Sequence, residues 1–268
     1  MSDNRVALVT GAGRGLGRSH AWVLARTGLA VVVSDIDAEP ADEVVRAICA
    51  AGGTAVADTT DVASIEGGRR VVRRTVEALG RIDVLVNNAG FARGGGTVDA
   101  PREDELDALL DVHLKGALGT MAEALPVMSS QRFGRIVNTV SEVALDARFA
   151  SSLAYGAAKA ALWSATLSAA AAAPDGVTVN AVSPGARTRL NGELLDAGFR
   201  DGASAGLDLD PVHVSRLVAF LASDAAADIT GKVIHAAGGE LREYTTTRTG
   251  RSALVERLRA ALEVAERP

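Results

Sequence analysis

The sequence is short of several residue types, and each scarcity removes a class of function. Its 268 residues include a single cysteine, Cys49, so no internal disulfide forms and no thiolate zinc site is assembled. Aromatic residues are only 3%, too few for rows of base-stacking side chains. Basic residues are outnumbered, 28 Lys and Arg against 33 Asp and Glu, for a net charge of −5. That leaves no electrostatic footprint for nucleic acid or an anionic membrane. No apolar run reaches the roughly 18–20 residues of a membrane helix. The opening MSDNRVALVT passes from a polar tip into a strand pattern and does not read as a signal peptide. The expectation is a cytoplasmic protein without nucleic-acid or membrane partners. A hydrophobic content of 48% excludes wholesale disorder and supplies a large core of Ala, Val and Leu.

Short β-branched runs alternate with helical patterns. Strands are expected at 6–9, 29–34, 54–57, 82–86, 135–139, 177–182 and 232–235, and helices at about 18–26, after Pro40, 65–79, 101–130 (one long or two abutting), 152–173 and 212–222. Strands apolar on both faces and separated by helices predict a doubly wound parallel α/β sheet, with its ligand crevice at the carboxyl ends of the strands. No linker divides the chain, so residues 1–240 read as one doubly wound α/β domain. Within it, 187–210 has weak periodicity where a substrate lid would sit. Residues 241–268 form a C-terminal extension, partly helical, in which Leu254, Val255, Leu258, Ala261 and Leu262 recur at helical spacing. The bland alternative is a frayed tail.

The first strand runs into Thr10-Gly11-Ala12-Gly13-Arg14-Gly15-Leu16-Gly17. Glycines permit a sharp turn and close approach to a pyrophosphate, and a helix N-terminus offers free N–H groups beside it. The spacing is GxxxGxG, not the general GxGxxG. Asp35 ends the second strand, 18 residues after Gly17, where a carboxylate accepts hydrogen bonds from the adenosine ribose and repels a 2′-phosphate. This favours NAD over NADP, with Asp37 a competitor and Arg14 still able to meet a phosphate. Asp61 and Val62, after the third strand, are expected to hold the adenine. Asp61 reads alternatively as an N-cap for the next helix.

At the other end, Tyr155 and Lys159 lie four apart in an Ala-rich helix and share a face. The chain has two tyrosines and three lysines, so a chance Tyr-to-Lys pair at this spacing is expected only about 2% of the time. A nearby ammonium favours a phenolate, which makes the tyrosine an acid/base for an alcohol or carbonyl. Ser141 follows the fifth strand, where its hydroxyl can orient a substrate oxygen; it reads equally as a turn former.

Together these residues resemble the short-chain dehydrogenase/reductase family. TGAGRGLG is similar to its cofactor loop, Asn87-Asn88-Ala89-Gly90 to its NNAG signature, Ser141, Tyr155 and Lys159 to its catalytic set, and Asn180–Gly185 to the segment flanking the nicotinamide. The resemblance spans 5–239. It implies a seven-stranded Rossmann sheet, NAD(P)-dependent hydride transfer, and a homotetramer or homodimer. It also implies cofactor contacts from Gly11, Gly15, Leu16, Gly17, Asn88, Ala89, Gly90, Tyr155, Lys159, Pro184 and Gly185. In the family the lysine holds the nicotinamide ribose and lowers the tyrosine pKa, and the serine positions the substrate oxygen. Two departures stand out. His113, in DVHLKG, replaces the family's relay asparagine; it is expected either to keep the relay by bonding a water or a carbonyl, or simply to be satisfied in a helix bend. The serine-to-tyrosine spacing is 14 instead of 13, which implies a reshaped loop before Tyr155, with Glu142 facing substrate or solvent.

The expected function is therefore an NAD(H)-dependent oxidoreductase that interconverts a secondary alcohol and a ketone, with no metal. The VHLKG and PGARTRL segments resemble enzymes of 3-hydroxyacyl thioesters, one option beside alicyclic or polyketide-like alcohols. The rival readings are a non-redox dehydratase or cyclase, and an NAD-binding sensor.

Overall fold

The computed structural model describes residues 5–92, 96–146, 153–187 and 207–245. In chain order the elements are β1 (Val6–Thr10), α1 (Gly15–Arg26), β2 (Ala30–Ser34), α2 (Ala38–Ala50), β3 (Thr54–Asp58), α3 (Ile65–Leu79) and β4 (Val84–Asn87). A two-residue hairpin, β5 (Gly96–Thr97) and β6 (Ala100–Pro101), precedes α4 (Glu103–Leu110), a π-helical turn (Asp111–Gly116) and α5 (Ala117–Gln131). The rest is β7 (Gly134–Thr139), α6 (Leu153–Ala171), β8 (Val177–Gly185), α7 (Pro211–Leu221), β9 (Val233–Ala237) and β10 (Glu240–Tyr244).

The main sheet runs β10-β9-β8-β7-β4-β1-β2-β3, parallel throughout except where β10 returns antiparallel to β9. Pleating alternates the side chains of β1. Ala7 and Val9 join Leu24, Val44, Ile48 and Val218 in one core layer, while Val6 and Leu8 join Val71, Val72, Met121 and Met128 in the other. Each fully buried Leu or Val in these layers is worth about 2 kcal/mol of hydrophobic transfer. Helix α3 has the boundaries the periodicity predicts. Ser64 caps its start through Gly67 N–H at 2.9 Å, and Gly80, at φ 79°, ends it in the left-handed conformation a Cβ would strain.

The sheet has eight strands, not the expected seven. Gly238 and Gly239, both at positive φ, turn the chain back so that Glu240 pairs with Ala237. A two-residue Gly-Gly loop suits a tight hairpin, and β10 covers what would otherwise be the exposed edge of β9. The helical pattern at 101–130 resolves as two helices joined by the π turn. Of the expected lid, only Arg187 and 207–210 are described, with Arg187 N–H bonded to Leu209 O at 2.7 Å; the helical stripe at 254–262 lies outside the described residues. No described helix is long and apolar enough to cross a membrane.

Candidate active site

The strand order reverses at β1, which has β2 on one side and β4 on the other; the crevice of an open parallel sheet forms at such a point. Here the β1–α1 turn meets the residues after β4. Asn88 Nδ2 donates to the carbonyls of Thr10 and Gly11 at 3.0 and 3.1 Å. Thr10 Oγ1 accepts from the N–H groups of Asn88 and Ala89, both at 3.1 Å. Asn88 thus acts as a strut for the glycine turn. A Cβ on Gly17 would stand 2.1 Å from the Gly11 carbonyl oxygen, so the first turn of α1 presses on the loop backbone. Arg14 occupies the N-cap position and no side chain caps α1. Leu16 is buried in the core and offers the cradle only its backbone. A glycine cradle at an uncapped helix N-terminus fits a dinucleotide pyrophosphate.

Asp35 borders this cradle. Its two carboxylate oxygens accept from Gly13 N–H at 2.9 Å and Asp37 N–H at 3.1 Å, and lone pairs remain on both for ribose hydroxyls. Asp37 is drawn to Arg14 at 2.5 Å, which separates the two competing aspartates. Asp61 is not the helix cap, because Ser64 holds that place; Asp61 Oδ1 instead accepts from Ala63 N–H at 2.8 Å in a local turn. The Val62 carbonyl abuts Gly116, where a Cβ would come within 2.3 Å.

At the chemical end, Lys159 is 3% exposed and its Nζ donates to the Thr139 carbonyl at 2.6 Å. Burial lowers its pKa to about 7. Nζ lies 5.7 Å from the Tyr155 ring centre. Burial raises the Tyr155 pKa, and a hydrogen bond with Ser141 partly counters it. The expected lowering joins Lys159 with a positively charged nicotinamide; from the protein's own groups, desolvation of the phenolate outweighs the bond with Ser141. Ser141 begins the short turn 142–144, on the same carboxyl edge as Pro184 and Gly185 at the end of β8.

His113 sits in the π turn, 3% exposed. Its Nε2 lies 2.8 Å from the Phe91 carbonyl and 3.3 Å from the Phe91 N–H, so the ring is held against the Phe91 backbone. Nδ1 has no hydrogen-bond partner among the described residues. Burial first, then the Lys159 charge, lowers its pKa to about 3. The ring meets Tyr155 edge-on at 5.5 Å and 86° and packs on Gly90, where a Cβ would approach it within 2.2 Å. His113 also lines a cavity of about 10 Å³ with Thr10, Asn87 and Thr120. The histidine thus has the backbone carbonyl that both readings of it allow, and it lies in a π-helical turn.

The motif reading missed a buried polar chain behind the site. Thr120 Oγ1 donates to Asn87 Oδ1 at 2.7 Å, Asn87 Nδ2 to Asn138 Oδ1 at 2.9 Å, and Asn138 Nδ2 to Thr166 Oγ1 at 2.9 Å. It ties α5, β4, β7 and α6 together. An asparagine inside the apolar run RIVNT was the available signal. Glu142, expected to face substrate or solvent, has a side chain only 12% exposed, and its Oε1 accepts from the Tyr244 hydroxyl at 2.5 Å. Residues 147–152, where the extra residue before Tyr155 was placed, lie outside the described residues.

Comparisons with known proteins agree with this geometry. A family described as short chain dehydrogenase matches residues 5–196. Peroxisomal multifunctional enzyme type 2 of Drosophila melanogaster is 37% identical over 248 residues, 88% of this chain but only 39% of that longer protein. The 3-oxoacyl-acyl-carrier-protein reductase FabG of Staphylococcus aureus is 38% identical over 246 residues, 89% of this chain and 99% of that one. The crystal structure of a short chain dehydrogenase from Mycobacterium avium superposes with a TM-score of 0.82 at 38% identity, covering 100% of this chain and 97% of that one.

Proposed function

The chain belongs to the short chain dehydrogenase family and is an oxidoreductase, and from that premise we propose that it interconverts a secondary alcohol and a ketone with NAD(H), on substrates of the 3-oxoacyl or 3-hydroxyacyl thioester type. The observation that carries the reading is the buried Lys159, whose Nζ donates to the Thr139 carbonyl at 2.6 Å and lies 5.7 Å from the Tyr155 ring centre.

The glycine turn 11–17 would take the pyrophosphate and Asp35 the adenosine ribose. Asp61 and Val62 would border the adenine, and Ala89, Gly90, Pro184 and Gly185 the nicotinamide side. When bound, NAD exchanges the hydride. Tyr155 then moves the proton: its raised pKa keeps it protonated at neutral pH, so it is a proton donor to a ketone oxygen in reduction. Ser141 hydrogen-bonds the same oxygen as its charge changes. Lys159, held by the Thr139 carbonyl, would hold the cofactor ribose and, when protonated, would offset negative charge on Tyr155. His113 stays neutral at working pH, so it contributes by hydrogen bonding instead of carrying the proton.

The resemblance of VHLKG and the kinship with a 3-oxoacyl reductase support the thioester class. Asp35 supports NAD over NADP, with Arg14 the group that would meet a 2′-phosphate. Helix α6 supports a homo-oligomer, because Lys159 is its one charged residue and it is buried, while Leu153 and Leu167 are exposed; a second copy would cover that uncharged face. The segment 187–210 is proposed as the substrate lid.

Tyr155→Phe is expected to lower the rate of NADH consumption with acetoacetyl-CoA by about a thousandfold or more, an acid/base loss at the upper end of its range. NADH binding, read by fluorescence, persists. Unchanged turnover would overturn the assignment.

A further inference from the structure

Glu142 directly follows Ser141, yet its carboxylate is taken up by the last two strands of the sheet. The Tyr244 hydroxyl donates to Oε1 at 2.5 Å, and His235 Nδ1 lies 3.4 Å from the same oxygen. The Glu142 side chain is 12% exposed and that of His235 2%, while Tyr244 is half-buried, so the pair is partly withdrawn from water. Burial, followed by the bond to Glu142, raises the Tyr244 pKa and keeps the hydroxyl a donor.

The turn that carries Ser141 is closed by backbone bonds internal to residues 141–146, from Ala144 N–H to Ser141 O at 3.0 Å and from Leu145 and Asp146 N–H to Glu142 O at 2.9 Å. Ser141 Oγ accepts from Val143 N–H at 3.4 Å, a long and weak bond. The Tyr244 ring and Leu145 pack on one apolar cluster with Val140, Leu162 and Val233, so the hydroxyl contact is backed by burial. The same histidine supports a second part of the site. His235 is in register with Ser183 on β8, and a Cβ on Gly185 would lie 3.2 Å from its Cε1. One cluster therefore braces the turn after β7 and the end of β8 together.

We propose that Tyr244, acting through Glu142, is a positioning residue that clamps the Ser141 turn to the terminal strand β10. The proposal rests on the role assigned above to Ser141. Its test separates the two. In Tyr244→Phe and Glu142→Leu, amide exchange at residues 141–146, followed by mass spectrometry, speeds up about tenfold relative to wild type. With acetoacetyl-CoA and NADH, kcat falls about tenfold, the scale of a small displacement in a reacting constellation, while KM and the affinity for NADH hold. Glu142→Gln, which keeps an oxygen for the Tyr244 hydroxyl, retains more turnover than Glu142→Leu, and its exchange stays closer to wild type. If Tyr244→Phe folds poorly, the two Glu142 variants decide the matter alone. Unaltered exchange at 141–146 overturns the clamp. Faster exchange with wild-type kcat overturns its catalytic meaning, and equal impairment of the Gln and Leu variants assigns the effect to charge instead of position. A wild-type enzyme inactive on acetoacetyl-CoA counts against the proposed substrate class, while the exchange data still decide the clamp.

Discussion

Asp35 and Lys159 stand on the same carboxyl edge of one sheet, and the protein treats them in different ways. Asp35 is half-buried and met by two backbone N–H groups. Around it, the proposed nucleotide cradle is made of main chain: glycines, an uncapped helix start, and the Asn88 strut. Lys159 is sealed from solvent, bonded to one carbonyl, and its pKa is lowered to about 7 by burial. Beside it, burial raises Tyr155 and lowers His113 to about 3. The nucleotide end is a shape that the backbone holds open. The chemical end is a set of ionisable groups held away from water, where desolvation shifts proton affinity and sets them to work. Shape fails by steric filling, and proton affinity fails by loss of a group or a change of pH.

The sharpest break is Gly17→Val. The added carbons meet the Gly11 carbonyl oxygen at 2.1 Å and Asn88 Nδ2 at 2.5 Å, and main chain does not yield easily. Folding stability in urea is expected to drop by about 3 kcal/mol, the upper range for overpacking. The NADH fluorescence response is expected to vanish at concentrations that saturate wild type. Binding that survives would mean the cradle is not at this turn.

Next in size is the pH dependence carried by Lys159. Its folded pKa, about 7, lies below the ordinary lysine value of about 10.4, so the unfolded chain binds more protons between those limits. Stability then rises with pH across that window, and the contribution is lost as pH falls back through 7. The full swing is on the order of a few kcal/mol. Lys159→Met removes it: urea unfolding at pH 7 and pH 10 should differ less in the variant than in wild type. An equal rise in both would show that Lys159 is charged and well paired in the folded protein.

The smallest effect is the sharpening one. Asp35→Asn keeps one oxygen for a backbone N–H but loses the charge that opposes a 2′-phosphate. The preference for NADH over NADPH, as a ratio of kcat/KM, is expected to narrow about tenfold, or about 1.4 kcal/mol. A wild-type enzyme that prefers NADPH would reassign Arg14 as the dominant contact.

Much of this was legible in the residues. The turn at 10–17 follows a strand by direct sequence, and Tyr155 and Lys159 share a face because four residues make roughly one helical turn. The bounds of helix α3 were readable from its periodicity at 65–79. What escaped notice depended on distant partners. Strand β10 has a sequence, ELREY, with little alternation, and only the Gly238-Gly239 hairpin against β9 makes it a strand. The π turn became visible only with His113 bonded to Phe91. Asp61 looked like a cap until Ser64 was seen to hold that role. The shift that the protein's own groups give Tyr155 was not legible, because the spacing reveals a neighbouring charge and says nothing of how deeply both groups are buried.

Taken by itself, the amino-acid order determined the parallel α/β architecture, the glycine turn, and the identity of the Ser, Tyr and Lys set, because periodicity, turn chemistry and four-residue spacing are local properties of a chain. The tertiary structure alone decided which carbonyl Lys159 meets, which proton state burial favours, and that Tyr244 reaches Glu142 across 102 positions. Those outcomes depend on solvent exclusion and on contacts between strands far apart in sequence, and neither is encoded within any one segment.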